Sequence, residues 1–217
     1  MSFPTPELLF QSTNREGFES EIKAAFNRKS TRQIMRAYRL SKYGHRNQWR
    51  DDGTRYFDHP KALALLLVRL GVRNAAVIIV ALLHDIVEDS FILLFEDVQY
   101  WFGTTAERSL RMVTKDKKAG MTVEEYFERM ADDGPASWLV KLADRLHNLR
   151  TLPDSDDPVK HAKCKQKKLN QVDETRRFIL PLALKLAKSR RYNKLGIWFH
   201  EQLTQWCNIR EEEGHAA

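Results

Sequence analysis

Apolar residues recur along most of this chain at spacings of three and four, which is the repeat of amphipathic helices rather than strands. Strand-like alternation is nearly absent, and a small hairpin is the single β feature left open. The pattern predicts an all-α fold, a helical bundle of about eight to ten helices. The predicted helices cover residues 19–27, 30–48, 60–70, 75–89, 93–101, 105–113, 122–130, 135–150, a long basic helix from 158 onward, and 194–212.

Several residues mark where the predicted helices begin and end. Asn74 is a candidate N-cap, and Gly71 is a candidate C-cap for the preceding helix. Thr122 with Glu125 three residues later forms a predicted capping box. Pro181 should kink or interrupt the long basic helix, because proline removes a backbone donor. We expect an N-terminal tail over 1–18 and one domain over 19–217.

Composition narrows the class of protein. With 217 residues and 42% hydrophobic content, the chain is long enough for one domain with its own core. Neither a membrane span nor a signal peptide is evident, and the two cysteines form no CxxC pair. We therefore expect reduced thiols and a cytoplasmic protein. The net charge of +7 fits nucleic acid, an acidic membrane or a small anionic substrate, but no nucleic-acid-binding motif accompanies it.

The segment 81–89, Ala-Leu-Leu-His-Asp-Ile-Val-Glu-Asp, carries the first candidate chemistry. Asp85 precedes Glu88 by three residues and Asp89 by four, and His84 precedes Glu88 by four. On a continuous helix these groups share one side. Carboxylates and an imidazole among apolar residues are costly to bury unpaired, and a divalent cation is the simplest compensation. The alternative is an exposed polar stripe with a chance His-Asp pair.

Two further stretches add to this chemistry. In the segment 139–150, Lys141, Asp144, Arg145 and Asn148 are spaced to share one helix face, with leucines on the other side. His59 stands directly before a proline, which holds it in an extended conformation and can aim it at a neighbouring site. A structural Asp–Arg network and a structural histidine are the respective alternatives.

Together these stretches offer four candidate ligands for one divalent cation: His59, His84, Asp85 and Asp144. Mixed imidazole and carboxylate ligands suit Mn²⁺, Fe²⁺ or Zn²⁺, and the absence of thiolates argues against a structural zinc site. Such a metal lowers the pKa of bound water and polarises a phosphoryl oxygen. Glu88 and Asp89 are then placed to orient that water or to carry its proton.

The order of these motifs, followed by Lys-Leu-Ala-Asp-Arg-Leu-His-Asn-Leu-Arg-Thr-Leu at 141–152, resembles the hydrolase domain of RelA/SpoT-type alarmone enzymes of the HD superfamily. The similarity spans roughly residues 41–184. Because 217 residues leave no room for synthetase or regulatory domains, we expect a stand-alone small alarmone hydrolase, of the kind that includes the animal SpoT homologue.

The resemblance implies an all-helical HD fold, a Mn²⁺ ion on the four ligands named above, and removal of pyrophosphate from the 3′ position of (p)ppGpp. It places the water-activating pair at Glu88 and Asp89. It also implies that Arg50 packs on the base, that Asn148 and Thr151 lie near the nucleoside, and that Lys115 with Lys117 lies near the phosphates. The predicted substrate-binding residues are Arg50, Arg55, Lys115, Lys141, Arg145, Asn148 and Thr151.

One segment departs from the family pattern. Residues 51–56 read Asp-Asp-Gly-Thr-Arg-Tyr where the long enzymes usually read Lys-Ser-Gly-Glu-Pro-Tyr. Two acids replace a cation, and Arg55 restores part of the charge. This leaves open (p)ppApp or another 3′-phosphorylated nucleotide as the substrate. A separate alternative is an HD phosphatase that acts on the 2′-phosphate of NADPH. A catalytically silent nucleotide sensor is an alternative from another class, and the intact Glu88–Asp89 pair argues against it.

The expected partner is a small-molecule nucleotide, and no membrane partner is expected. Nucleic acid as a partner is supported by the net charge alone. The last predicted helix carries Trp198, Phe199, Leu203 and Trp206 at helical spacing. These residues are expected to pack into the core, with a homo-oligomer contact as the alternative.

Overall fold

The computed structural model describes residues 3–89, 92–115, 120–153 and 158–215, without the side chains of residues 88, 89, 158 and 159. The prediction of an all-α fold is confirmed, since the described residues contain helices and no β-strand. The first helices are α1 (Pro6–Leu9), α2 (Arg15–Ala25), α3 (Arg28–Gly44), α4 (Asp58–Arg69), α5 (Ala75–Leu83), α6 (Ile86–Asp89) and α7 (Phe95–Phe102). The others are α8 (Thr104–Val113), α9 (Val123–Ala131), α10 (Pro135–Arg150), α11 (Pro158–Glu174), α12 (Leu180–Ala187) and α13 (Asn193–His215).

The chain divides into two compact units, and the first comprises Met1–Arg50 and Thr54–Val140. Helix α5 is its centre, because every residue from Val77 to Leu83 is buried and the helix packs on α3, α4 and α8. An apolar helix with no polar face is stable in water only when it is surrounded in this way. Leu9 and Phe18, which lie in the segment predicted as a tail, are also buried in the core.

The second unit comprises Asp51–Gly53 and Lys141–Ala217. Its helix α13 packs on α11 and α12, and Phe199 and Leu203 are fully buried there, as the apolar spacing predicted. Between α11 and α12 the chain forms a π-helical segment, Thr175–Ile179. Pro181 follows in the first turn of α12, so the predicted interruption is confirmed. The prediction of one domain over 19–217 stays a prediction.

The helix-end signals act as predicted. The Asn74 side chain accepts a hydrogen bond from the backbone N–H of Ala76 at 3.0 Å. Thr122 Oγ1 accepts from the Glu125 N–H at 3.1 Å, while the Glu125 carboxylate accepts from the Thr122 N–H at 2.8 Å, which completes the capping box. The hydrogen bonds that the Glu125 carboxylate accepts from the Thr122 N–H and, at 2.9 Å, from the Thr122 hydroxyl lower the pKa of Glu125 below its usual value. Gly71 adopts a φ of +86° just after α4, a conformation that L side chains rarely adopt.

The predicted continuous helix over 75–89 is wrong, because α5 ends at Leu83 and α6 begins at Ile86. His84 and Asp85 form a turn between the two helices. The imidazole Nδ1 of His84 lies 3.0 Å from the carbonyl oxygen of Ala81, the group to which a continuing helix would bind the Asp85 N–H. This side-chain bond competes with helix continuation, and the chain does not run as one helix through His84 and Asp85.

The small hairpin left open by the sequence is reduced to a single antiparallel bridge between Trp49 and Arg55. Across the intervening turn, the Arg50 N–H donates to the Thr54 carbonyl at 2.9 Å. Gly53 has a φ of +78° in this turn. Within the part of the chain that the structure describes, no helix combines the length and the apolar character needed to cross a membrane.

Candidate metal centre

Two buried histidines form the core of the site. His59 lies in the first turn of α4 and His84 lies just after α5, with 2% and 5% of their surfaces exposed. Their Nε2 atoms are 3.3 Å apart. In a neutral His84, Nδ1 donates to the Ala81 carbonyl at 3.0 Å, which leaves the Nε2 lone pair directed at the site. Such a backbone partner is the usual way in which a metal-ligating histidine is held.

Asp85 adds a carboxylate beside this pair. Its Oδ2 atom lies 3.1 Å from His84 Nε2 and accepts a hydrogen bond from the Tyr56 hydroxyl at 2.8 Å. With Nδ1 of a neutral His84 donating elsewhere, Nε2 and the carboxylate oxygen are both acceptors, and two acceptors at this distance repel each other. A cation or an additional proton removes that repulsion. The donor set of His59, His84 and Asp85 therefore fits a divalent metal ion of the kind that prefers nitrogen and oxygen ligands.

Asp144 lies on α10, with 6% of its surface exposed. Lys141 Nζ donates to its Oδ2 at 2.8 Å, and Asn148 Nδ2 donates to its Oδ1 at 2.7 Å. The spacing of three and four residues that the sequence showed thus produces direct contacts on one helix face. Each carboxylate oxygen has two lone pairs, so a carboxylate can accept hydrogen bonds and bind a metal ion at the same time. The lysine also offsets the cost of burying the aspartate charge.

His59, His84 and Asp144 are all buried, and each offers an atom that can bind a metal ion. These are three of the four ligands predicted from the sequence, and Asp85 contacts His84 directly within the first unit. Imidazole nitrogens and carboxylate oxygens are the donors that a mixed nitrogen and oxygen metal site uses.

Two predicted substrate-binding residues have their side chains bound within their own unit. The Arg145 guanidinium donates to Glu174 at 2.6 Å and to the Gln171 carbonyl at 3.2 Å, so it binds α11. The role of Arg145 in substrate binding stays a prediction. Thr151 Oγ1 donates to the His147 carbonyl at 2.9 Å, which is a local contact at the end of α10.

Three other predicted substrate-binding residues lie in the first unit. Arg50 is half-buried and begins the turn that the Trp49–Arg55 bridge closes. The Arg55 side chain is exposed and lies 3.4 Å from the Asp58 carboxylate. Lys115 is half-buried just beyond α8, whereas Lys117 lies outside the described residues. Their roles in substrate binding stay predictions.

Glu88 and Asp89, the predicted water-activating pair, form the second half of the short helix α6. Their side chains lie outside the described part of the structure. Tyr56 is the residue near the histidines that the sequence reading missed. Tyr56 stands three residues before His59, and nothing in its residue type or spacing predicts a contact with Asp85.

Comparisons with known proteins agree with this geometry. Residues 37–172 match the family model described as an HD domain. The mouse guanosine-3′,5′-bis(diphosphate) 3′-pyrophosphohydrolase MESH1 is 37% identical over 125 residues, which cover 55% of this chain and 69% of the mouse protein. A solved structure of a metazoan SpoT ortholog, described as hydrolysing ppGpp, matches with a TM-score of 0.59 and 26% identity, covering 82% of this chain and 95% of that one.

Longer bacterial proteins also match. The GTP pyrophosphokinase of Streptomyces coelicolor is 36% identical over 162 residues, which are 71% of this chain but only 18% of the bacterial protein. The chain thus spans less than a fifth of that relative and more than two thirds of mouse MESH1. Because the family model also covers more than half of its residues, this protein belongs to the HD-domain family, together with the MESH1 proteins.

Proposed function

We propose that this protein is a metal-dependent guanosine-3′,5′-bis(diphosphate) 3′-pyrophosphohydrolase, which releases pyrophosphate from (p)ppGpp and leaves GDP or GTP. The observation that carries the proposal is the buried pair of His59 and His84 with the Asp85 carboxylate beside it, in a chain related to enzymes named for this reaction. Human MESH1, which bears the same name, is also 37% identical over 125 residues. We expect the reaction to take place in the cytoplasm.

The proposed ligands of the metal are His59, His84, Asp85 and Asp144, and Mn²⁺ is the proposed ion. When bound there, the ion lowers the pKa of a water molecule and polarises a phosphoryl oxygen. The nitrogen and oxygen donors support this assignment, as does the absence of any cysteine among them. The hydrogen bond to Ala81 holds the His84 imidazole, and Lys141 and Asn148 hold the Asp144 carboxylate, so contacts within the protein orient these ligands.

In the proposed reaction, Glu88 and Asp89 orient the attacking water and take up its proton. Their position in α6, three and four residues after Asp85, supports this role. Arg50 is proposed to pack against the base. Pyrophosphate leaves from the 3′ oxygen as water adds to the phosphorus, so the bond that forms is P–O(water) and the bond that breaks is P–O3′.

A second candidate substrate is an adenine alarmone or another phosphorylated nucleotide such as NADPH. The observation that favours it is the acidic turn after Arg50, which differs from the usual family pattern. Within the second unit, however, Lys167 Nζ lies 2.5 Å from the Asp51 carboxylate. This ion pair lowers the repulsion between that acid and a phosphate group, whichever base the nucleotide carries.

The test is a substrate panel of ppGpp, ppApp and NADPH with Mn²⁺, in which the products are separated and identified. Release of pyrophosphate from ppGpp supports the proposal, and release of single phosphate groups contradicts it. The variant Glu88→Gln should bind Mn²⁺ as the wild type does and lose rate, and a normal kcat would remove Glu88 from the mechanism. Arg50→Ala should mainly raise KM, whereas His84→Ala should abolish both metal binding and turnover.

A further inference from the structure

Backbone contacts on either side of Tyr56 fix the position from which its side chain extends. It follows Arg55 of the antiparallel bridge, and its N–H donates to the Gln48 carbonyl at 3.0 Å. Three residues later, α4 presents His59. The Tyr56 ring lies edge-on to the His59 imidazole, with 6.4 Å between the ring centroids. The turn that links the bridge to α4 therefore carries the phenol to the buried histidine pair.

The Tyr56 ring is also supported from the side. It stacks on the His45 imidazole with 4.7 Å between centroids and 25° between the ring planes. His45 is buried, and its Nδ1 lies 2.5 Å from the Gln48 side-chain oxygen. Gln48 thus contacts Tyr56 through its backbone and His45 through its side chain. A ring held by a backbone bond and a stacked neighbour has little freedom to rotate away.

The hydroxyl at the end of this supported ring donates to Asp85 Oδ2 at 2.8 Å. The acceptor lies in the turn between α5 and α6, where no continuous helix fixes the carboxylate. Asp85 is half-buried and 3.1 Å from His84 Nε2, so its orientation decides whether it faces the proposed cation. A donor on a rigid ring can set that orientation through one of the two carboxylate oxygens.

We propose that Tyr56 is a positioning residue for the metal centre, which holds the Asp85 carboxylate in the orientation that binds the cation. The inference rests on the proposed metal-dependent function and adds to it a residue outside the ligand set. Outer contacts of this kind typically change metal affinity by about 10–100-fold when they are removed. Tyr56 is expected to act through Asp85, with no contact to the substrate.

The test compares Tyr56→Phe with the matched control Tyr126→Phe. Tyr126 is buried in the same unit, and its hydroxyl also donates at 2.8 Å, but to the main-chain carbonyl of Val113. Both variants lose one oxygen atom and one hydrogen bond of equal length. Isothermal titration of the metal-stripped proteins with Mn²⁺ measures affinity directly, and melting temperatures with and without Mn²⁺ measure it independently of turnover.

We expect Tyr56→Phe to weaken Mn²⁺ binding by about 10-fold or more and to reduce the rise in melting temperature that Mn²⁺ causes. Tyr126→Phe should bind Mn²⁺ like the wild type, even if it melts at a lower temperature. Equal Mn²⁺ affinity in Tyr56→Phe and wild type would overturn the inference, as would an equal loss in both variants. A wild-type protein that binds no Mn²⁺ would instead overturn the proposed function, and this inference with it.

Discussion

Arg210 closes the C-terminal end of α10, the helix that carries Asp144, from a position on α13. Its guanidinium donates to the carbonyls of Leu149 and Arg150 at 2.6 and 3.0 Å, and to the Glu213 carboxylate at 2.6 Å. Only 7% of the arginine is exposed. The last carbonyls of a helix have no partner within the helix, and they carry the negative end of its dipole. The buried guanidinium therefore donates hydrogen bonds to these carbonyls and places a positive charge at the negative end of the helix dipole.

The variant Arg210→Met keeps an unbranched side chain comparable to the aliphatic part of the arginine and removes its donors. The substitution removes one hydrogen-bond donor from each of the Leu149 and Arg150 carbonyls and from the Glu213 carboxylate. Hydrogen bonds to charged groups are worth about 1.5–3 kcal/mol, and breaking a buried ion pair costs about 3–5 kcal/mol. Because Glu213 is partly exposed and keeps Lys168 at 2.9 Å, we take the lower end, about 3 kcal/mol. For a chain of this size that corresponds to a melting temperature lower by roughly 6–12 °C.

The control is Arg176→Met, also in the second unit. Arg176 forms a comparable two-pronged ion pair with Glu211 of α13, at 2.7 Å for both contacts, but its side chain is 42% exposed. An exposed pair contributes little to stability, because solvent screens both charges. Urea unfolding followed by circular dichroism gives the free energy of unfolding for both variants and the wild type. Equal losses in the two variants would refute the reasoning that burial and the α10 carbonyls make Arg210 special.

The structure makes two further predictions. Burial alone would raise the pKa of Glu213, but hydrogen bonds from Lys168 and Arg210 lower this pKa below its ordinary value of 4.5. The ionised Glu213 carboxylate therefore stabilises the fold above pH 4.5, and this contribution is lost as the pH falls below that value. The free energy of unfolding should therefore drop more steeply below pH 4.5 in the wild type than in Glu213→Gln, and parallel curves would contradict this assignment. Burial also raises the pKa of the Cys207 thiol, so a thiol reagent at neutral pH should modify the half-buried Cys164 first, as peptide mass analysis would show. Faster modification of Cys207 in the folded protein would show that its environment is open.

Features that depend on neighbours in sequence were predictable. The Asn74 cap and the Thr122–Glu125 capping box lie where the residue types placed them, because each joins groups two or three residues apart. The contacts of Lys141 and Asn148 with Asp144 follow in the same way from the geometry of one helix. In all these cases the residues that interact are also close along the chain, so spacing alone is informative.

Features that depend on competition between local and distant contacts were not predictable. The helical period continues unbroken from α5 through His84 and Asp85, yet the chain turns there, since the His84 side chain binds the Ala81 carbonyl. Arg145 has the spacing of the Asp144 face, but Glu174 on α11 binds its guanidinium. Periodicity cannot reveal either outcome, because the competing partner does not enter the pattern.

Residue types and their spacing were enough to predict the all-α class and to select the candidate ligands. Helical periodicity and ligand chemistry both depend on residue type and spacing alone. The tertiary structure alone decided that Tyr56 donates to Asp85, 29 residues away, and that His59 and His84 face each other through Nε2. The physical reason is that a hydrogen bond or a shared ligand position needs atoms within about 3 Å. Only packing of the helices fixes such distances between residues that are remote along the chain.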